Sequence, residues 1–365
     1  MVLPSLLVTL LAGSGSAAAA VARPVTPRTS NGTCTTLLQR RAWHTFTDAE
    51  KRAYIDAELC LMAKPATLGL NGTKNRFEEL QWTHQHQASI VHNVGAFLPY
   101  HRLLMWAHEK LLREECGYQG AQPYWDEVRD AGKFSTSDVL DPVTGFGGNG
   151  VGAYGCIADG PFVNFTNSLG PGYRIGFEHC IYRFVSDSVS RRAAQSYIDE
   201  CYQHTTFVDF WPCAEGAPHN GGHGGIGGKM NDPIASPGDP IFYLHHSFLD
   251  KVWWDWQELN QSARLMDIGG RNKFSGGFSG GFPWGNGTLP GFPGGNGSLP
   301  GAPQDPWRSV PLQDMIPPPG SPEPEGDPGN TTTLSHILRM YGVVPDVTIA
   351  DVMDTRGPLL CFEYV

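Results

Sequence analysis

The chain of 365 residues contains no basic run, and its 36 Asp and Glu outnumber its 26 Lys and Arg to give a formal net charge of −10. The phosphate-neutralising footprint of a nucleic-acid binder is therefore absent, and no nucleic acid is expected as partner. No apolar stretch reaches the roughly 20 residues that a membrane-crossing helix needs, so no membrane is expected either. The eight cysteines include no Cys-x-x-Cys pair, which argues against a thiolate zinc site. His219 is followed by Asn220 and not by Glu, so the general base of a His-Glu-x-x-His zinc hydrolase is missing.

What is present fits a large globular domain. The composition is 40% hydrophobic and 11% aromatic, enough to close a core. Residues 1–22, "MVLPSLLVTLLAGSGSAAAAVA", join a short apolar run to small residues ending Ala-Val-Ala, the pattern of a cleaved signal peptide. A secreted, extracellular protein is expected. Acceptor sequences for N-glycosylation stand at Asn31, Asn71, Asn164, Asn260, Asn286, Asn296 and Asn330, and an even number of cysteines suits up to four disulfides in an oxidising compartment.

Helical signals dominate the first third. Thr47 and Glu50 have capping-box spacing before "AYIDAELCLMA", which predicts a helix start. A second helix is expected over "RFEELQWTHQHQASIVHN", and a third from near Pro99 to Gly117, with proline in the first turn and glycine past the end. From 117 to 215 glycine and proline rise and periodicity fades, apart from a helix expected at "SRRAAQSYIDECYQ". Residues 236–262 regain helical spacing, with Phe242, His246, Asp250 and Trp253 on one stripe. Residues 269–330 hold the near-repeat "GFPWGNGTLP" and "GFPGGNGSLP", too rich in Gly and Pro to fill a core. The reading is one domain over 23–365, with this stretch as a glycosylated surface insertion and a tail tied back near Cys361.

Histidine is the residue that asks for a function. "WTHQHQASIVHNVGAFLPYHR" holds His84, His86, His92 and His101, "PHNGGH" holds His219 and His223, and "DPIFYLHHSFLD" holds His245 and His246. Neutral imidazoles are the commonest transition-metal ligands. His219 and His223, four apart, share one helix face. Asp250, one turn after His246, is the kind of carboxylate that fixes an imidazole's orientation, which favours His246 over His245 as a ligand. Singly, each histidine is as readily a hydrogen-bonded core residue; two groups amid aromatics point to a metal.

"HNVGAFLPYHR", "PHNGGH" with "GGKM", and "DPIFYLHHSFLDKVWWDWQ" resemble the two copper-binding regions of the tyrosinase and catechol oxidase family of type 3 copper proteins, in particular the short secreted fungal polyphenol oxidases. The resemblance covers about 84–109 and 215–257, and "QPYWDE" at 122–127 also resembles the family. It implies a mainly α fold: a four-helix-bundle core holding a dicopper site, surrounded by long disulfide-tied loops with little β. It implies two copper ions, the first held by His84, His92 and His101 and the second by His219, His223 and His246. His86, two residues from His84, faces another side of a helix and is expected to be structural. His108, beside Glu109, is expected to pack and not to ligate, and His44, His179, His204 and His336 have no motif support. Trp82 stands where many relatives carry a cysteine bonded to a ligand histidine, so no thioether is expected. Phe362-Glu363-Tyr364 resembles the Tyr-x-Tyr that closes the family's catalytic domain, so activation by removal of a C-terminal lid is not expected.

The implied reaction oxidises o-diphenols to o-quinones with dioxygen, with ortho-hydroxylation of monophenols as a further possibility. A free phenol ionises only near pH 10, so hydroxylation calls for a positioned base. The resemblance assigns that task to water held by Glu215 with help from Asn220. Gly224 is expected to leave room above the second copper, Pro233 to lie near the entrance, and Phe242 to contribute to substrate binding. Haemocyanin-like dioxygen binding without turnover, an o-aminophenol oxidase, and a zinc hydrolase on His219 and His223 are the alternatives.

Overall fold

The computed structural model describes residues 28–30, 33–274 and 311–365. The leader expected over 1–22, the acceptors Asn31, Asn286 and Asn296, and the near-repeat lie outside the described residues. Asn71, Asn164, Asn260 and Asn330 are exposed.

The architecture is mainly helical. Helix α1 spans Asp48–Ala63, and Thr47 and Glu50 form the reciprocal capping box at its start. Helix α2 spans Arg76–Val91, begins where the Asn75 side chain accepts the Glu78 N–H, and is kinked at Gln87. Helix α3 spans Phe97–Cys116, starting two residues ahead of Pro99, and stops where Gly117 takes φ 69°. Pro99 sits in the first turn, where its missing N–H has no partner to lose. Helix α4 is Asn220–Ile226 and helix α5 is Ile241–Glu258. Helix α3 packs against α1, α2 and α5, and α4 leans on α5.

The single stripe expected on α5 is too narrow. Every residue from Ile241 to Asp250 is buried, so α5 is enclosed on all sides as the central helix of the bundle. The segment 187–202 is not one helix: Asp187–Ser190 and Gln195–Tyr202 are separated by a tight turn and by extended backbone at Ala194. An unpredicted helix, Phe207–Ala214, runs through one wide turn, Glu215–His219, into α4. Pro212 and Pro218 disguise this helical run in the sequence.

Strand is sparse, confined among the described residues to two-stranded pairs. All eight cysteines are paired, as Cys34–Cys361, Cys60–Cys116, Cys156–Cys180 and Cys201–Cys213. Cys60–Cys116 staples the end of α3 to α1, and two bridges pin the loop-rich middle. At the tail, Phe362–Tyr364 pairs in parallel with Leu38–Arg40 beside the Cys34–Cys361 bridge. The Arg40 guanidinium lies 3.5 Å over the Phe362 ring, a close cation–π contact.

Candidate metal centre

The helices bring seven histidines into two adjoining groups. His84 and His101 come from α2 and α3, and His92 caps the end of α2; their ring centroids are 4.8 to 5.4 Å apart. His219 ends the wide turn, His223 lies on α4 and His246 on α5, with centroids 4.5 to 5.3 Å apart. The groups meet where His101 stacks on His246, 4.2 Å apart and 12° from parallel. All six rings are at most 6% exposed.

Each ring but one is oriented by a backbone carbonyl. Nδ1 of His84 contacts Ile234 O at 2.9 Å, that of His92 Ala88 O at 2.9 Å, that of His101 Phe97 O at 2.7 Å and that of His219 Glu215 O at 3.2 Å. Nδ1 of His223 contacts Met230 O at 2.5 Å. A carbonyl can only accept, so each of these Nδ1 atoms carries the proton and each Nε2 keeps its lone pair. The Nε2 atoms of His84, His101 and His219 are buried without a hydrogen-bond partner, and those of His223 and His246 face each other at 3.1 Å. Lone pairs gathered this way are costly unless a cation takes them. Burial, reinforced by neighbouring imidazoles, holds His84, His101, His219, His223 and His246 well below the ordinary histidine range. Burial likewise takes His92 down to about 4. Neutral, converging, nitrogen-only donors suit copper.

Aromatic and acidic groups complete the surroundings. Phe97 wedges between His101 and His219, at 4.7 and 4.8 Å. Phe242 packs against His246 at 4.1 Å and His84 at 5.3 Å; it is fully buried and is not among the residues that line the cleft. The cleft is lined by His92, His219, His223, Met230, Asn231, Pro233 and Ser236, and it opens at the exposed Asn231. Gly224 is not among the residues lining the cleft, and a Cβ there would meet Val189 Cγ1 at 2.8 Å. Glu215 is buried and its Oε1 accepts the Asn93 N–H at 2.8 Å. Burial pushes its carboxyl up to about 8, against the Asn93 N–H and the Arg271 charge. Asn220 turns its Oδ1 to His219 Nδ1 at 3.1 Å.

Asp250 does not orient His246, whose Nδ1 is buried without a hydrogen-bond partner among the described residues. Asp250 accepts from Arg102 Nε and Tyr364 Oη and lies 3.5 Å from Arg40, with no contact to an imidazole. Two buried guanidiniums and a phenol outcompete a neutral ring one turn away. Instead, His245 Nδ1 contacts Glu127 Oε1 at 2.5 Å and its ring joins the second group, 4.6 Å from His223. Glu127 closes the "QPYWDE" stretch, but its pairing spans 118 positions and leaves no local signal. A Cβ on Gly222 would strike the His245 ring and the Glu127 carboxylate, so glycine is required there.

The remaining histidines lie elsewhere. His86 stacks on Trp82 at 4.3 Å and meets Tyr341 edge-on. His108 is hydrogen-bonded to Gln122 and Glu58 and stacks on Tyr243 at 3.7 Å. His179 contacts Lys229 and His336 contacts Asp327.

Comparison with known proteins agrees with this geometry. Residues 74–259 match the model of the common central domain of tyrosinase. Tyrosinase ustQ of Aspergillus flavus is 30% identical over 89% of this chain and 78% of its own length. Tyrosinase-like protein phomQ2 of Diaporthe leptostromiformis is 34% identical over 89% of this chain and 72% of its own. Among solved structures, a mutant polyphenol oxidase from Thermothelomyces thermophila superposes with TM-score 0.69 at 26% identity, covering 90% of this chain and 89% of that one. With seven buried histidines gathered into two adjoining groups, and with these relatives, the chain belongs to the tyrosinase family of type 3 copper proteins.

Proposed function

We propose that the protein is a copper-dependent phenol oxidase that uses dioxygen to convert o-diphenols to o-quinones and hydroxylates monophenols at the ortho carbon. The observation that carries this reading is the pair of buried histidine triads: the Nε2 atoms of His84, His101 and His219 lack a hydrogen-bond partner, those of His223 and His246 face each other at 3.1 Å, and His92, His219 and His223 line a cleft. His84, His92 and His101 would hold one copper, and His219, His223 and His246 the other. Bound there, the metals supply two-electron exchange with dioxygen.

The chain's own residues set the conditions for that exchange. Burial keeps the imidazoles neutral and available as donors. Phe97 and Phe242 fix the rings and exclude water from the faces they pack against. Pro233 and Met230 offer an apolar wall to a flat aromatic ring entering the cleft. In this reading Glu215, held by the Asn93 N–H, and Asn220 retain a water that accepts the phenol proton. An N-acetyl-6-hydroxytryptophan oxidase, ivoB of Emericella nidulans, is 32% identical over 60% of this chain and 74% of its own length, which supports hydroxylated aromatics as the substrate class. The four disulfides support an oxidising, extracellular site of action.

The test is oxygen uptake by the copper-loaded protein on a simple monophenol, with the matching o-diphenol as control. Uptake on both, coupled to quinone formation, is expected. Uptake on the diphenol alone restricts the activity to diphenol oxidation, and no uptake on either refutes the reading.

A further inference from the structure

We propose that Arg271 is a positioning residue for Glu215, acting through the turn at Asn93, and that it raises oxidation of monophenols relative to diphenols. The inference rests on the reading of Glu215 given above.

The contacts form a relay between the surface and the site. Arg271 Nε donates to Asn93 O at 2.5 Å, and on the other side of that residue Asn93 N–H donates to Glu215 Oε1 at 2.8 Å. Gly95 N–H donates back to Arg271 O at 2.9 Å. Arg271 therefore grips the turn that follows His92 through both its side chain and its backbone. Asn93 has φ 56°, a left-handed conformation that Asn tolerates but does not prefer, so it persists only where surrounding contacts fix it.

The far side of the relay is itself braced. Arg271 forms a bridge with Thr331, Thr332 N–H donates to Gly270 O at 2.8 Å, and Asn272 N–H donates to Asn330 O at 3.1 Å. This short ladder lies flush on the turn: a Cβ on Gly95 would collide with Gly269 O and meet Thr332 Oγ1 at 2.8 Å. An exposed arginine on a mobile support contributes little. This one is seated on a braced ladder, and its bond is to a backbone carbonyl next to a site histidine. Without the guanidinium, the Asn93 N–H is free to swing, and the Glu215 carboxyl loses its one fixed donor among the described contacts.

The experiment combines kinetics with hydrogen exchange on the copper-loaded wild type, Arg271→Ala, Arg271→Lys, Glu215→Gln and the Arg271→Ala/Glu215→Gln double variant. The expected result is a fall of about tenfold in monophenol kcat/KM for Arg271→Ala, the size typical of losing such a supporting partner. Diphenol turnover stays near the wild-type value, and Arg271→Lys falls between. In the Glu215→Gln background Arg271→Ala adds no further loss, and amide exchange in a peptide covering 92–95 speeds up. An equal fall for both phenols, a loss that persists in the Glu215→Gln background, or unchanged exchange overturns the proposal. If Glu215→Gln leaves monophenol oxidation intact, the reading of Glu215 is what fails, and exchange at 92–95 alone decides whether Arg271 holds the turn. A wild type that oxidises only diphenols overturns the tuning of monophenol oxidation.

Discussion

A histidine becomes a donor here through which of its two nitrogens is satisfied. Five rings spend Nδ1 on a carbonyl and point Nε2 inward, whereas His86 and His108 spend themselves on stacking or on side chains. His101→Ala and His246→Ala should each abolish oxygen uptake and reduce bound copper, measured by metal analysis. His86→Ala should retain both, and loss of one copper from it would show that the wrong histidine was chosen. Gly222→Ala should act as strongly as losing a ligand, because its Cβ would drive into His245 and Glu127; overpacking of this kind costs about 1–3 kcal/mol, readable as a lower Tm together with lost copper. Helical spacing in the sequence linked only His219 with His223; the full set of six came from the family resemblance, because histidines on separate helices share no local interval. The role of Asp250 was misread, since spacing cannot show that Arg40 and Arg102 compete for it. His245 with Glu127 was missed because no periodicity links residues in separate segments.

At the scale of elements, the site depends on interruptions as much as on helices. The kink at Gln87 and the end of α2 at His92 place His84 and His92 on one centre, and the wide turn Glu215–His219 aims His219 while burying Glu215. Wide turns of this type recur at functional sites. Helices α1, α2, α3 and α5 were readable from capping and periodicity. Phe207–Ala214 was not, because Pro212 and Pro218 argue locally for a break that tertiary packing overrides. The ladder under Arg271 is anchored by Asp327, which accepts from Asn272, Thr333 and His336. Burial opposes its ionisation, but these hydrogen bonds hold its carboxyl below the ordinary value of 3.8. A carboxyl depressed in the folded state stabilises above its unfolded pKa and loses that contribution as pH falls through the folded value. Asp327→Asn should therefore lower Tm at pH 7, and the gap to wild type should close in strongly acidic buffer; an equal gap across the pH range would contradict this.

Across the whole molecule, the core helices are clamped from both ends of the chain. Asp250, one turn from His246, joins Arg40 near the start, Arg102 on α3 and Tyr364 at the tail. The Cys34–Cys361 bridge closes a loop spanning 327 positions, and chain entropy sets its contribution at up to about 5 kcal/mol. Replacing both cysteines by serine should lower Tm markedly while leaving copper content intact, because no histidine of the site touches that bridge. That the tail returns to the main body was legible from its apolar content and its cysteine. Which cysteine it meets was not, because pairing depends on the folded path. The central claim is that two copper ions share one centre made of two histidine triads, and metal analysis of the purified, copper-loaded chain tests it most directly. Two coppers per chain are predicted for the wild type, with loss in both His101→Ala and His246→Ala. A single copper, or two that survive both substitutions, would contradict it.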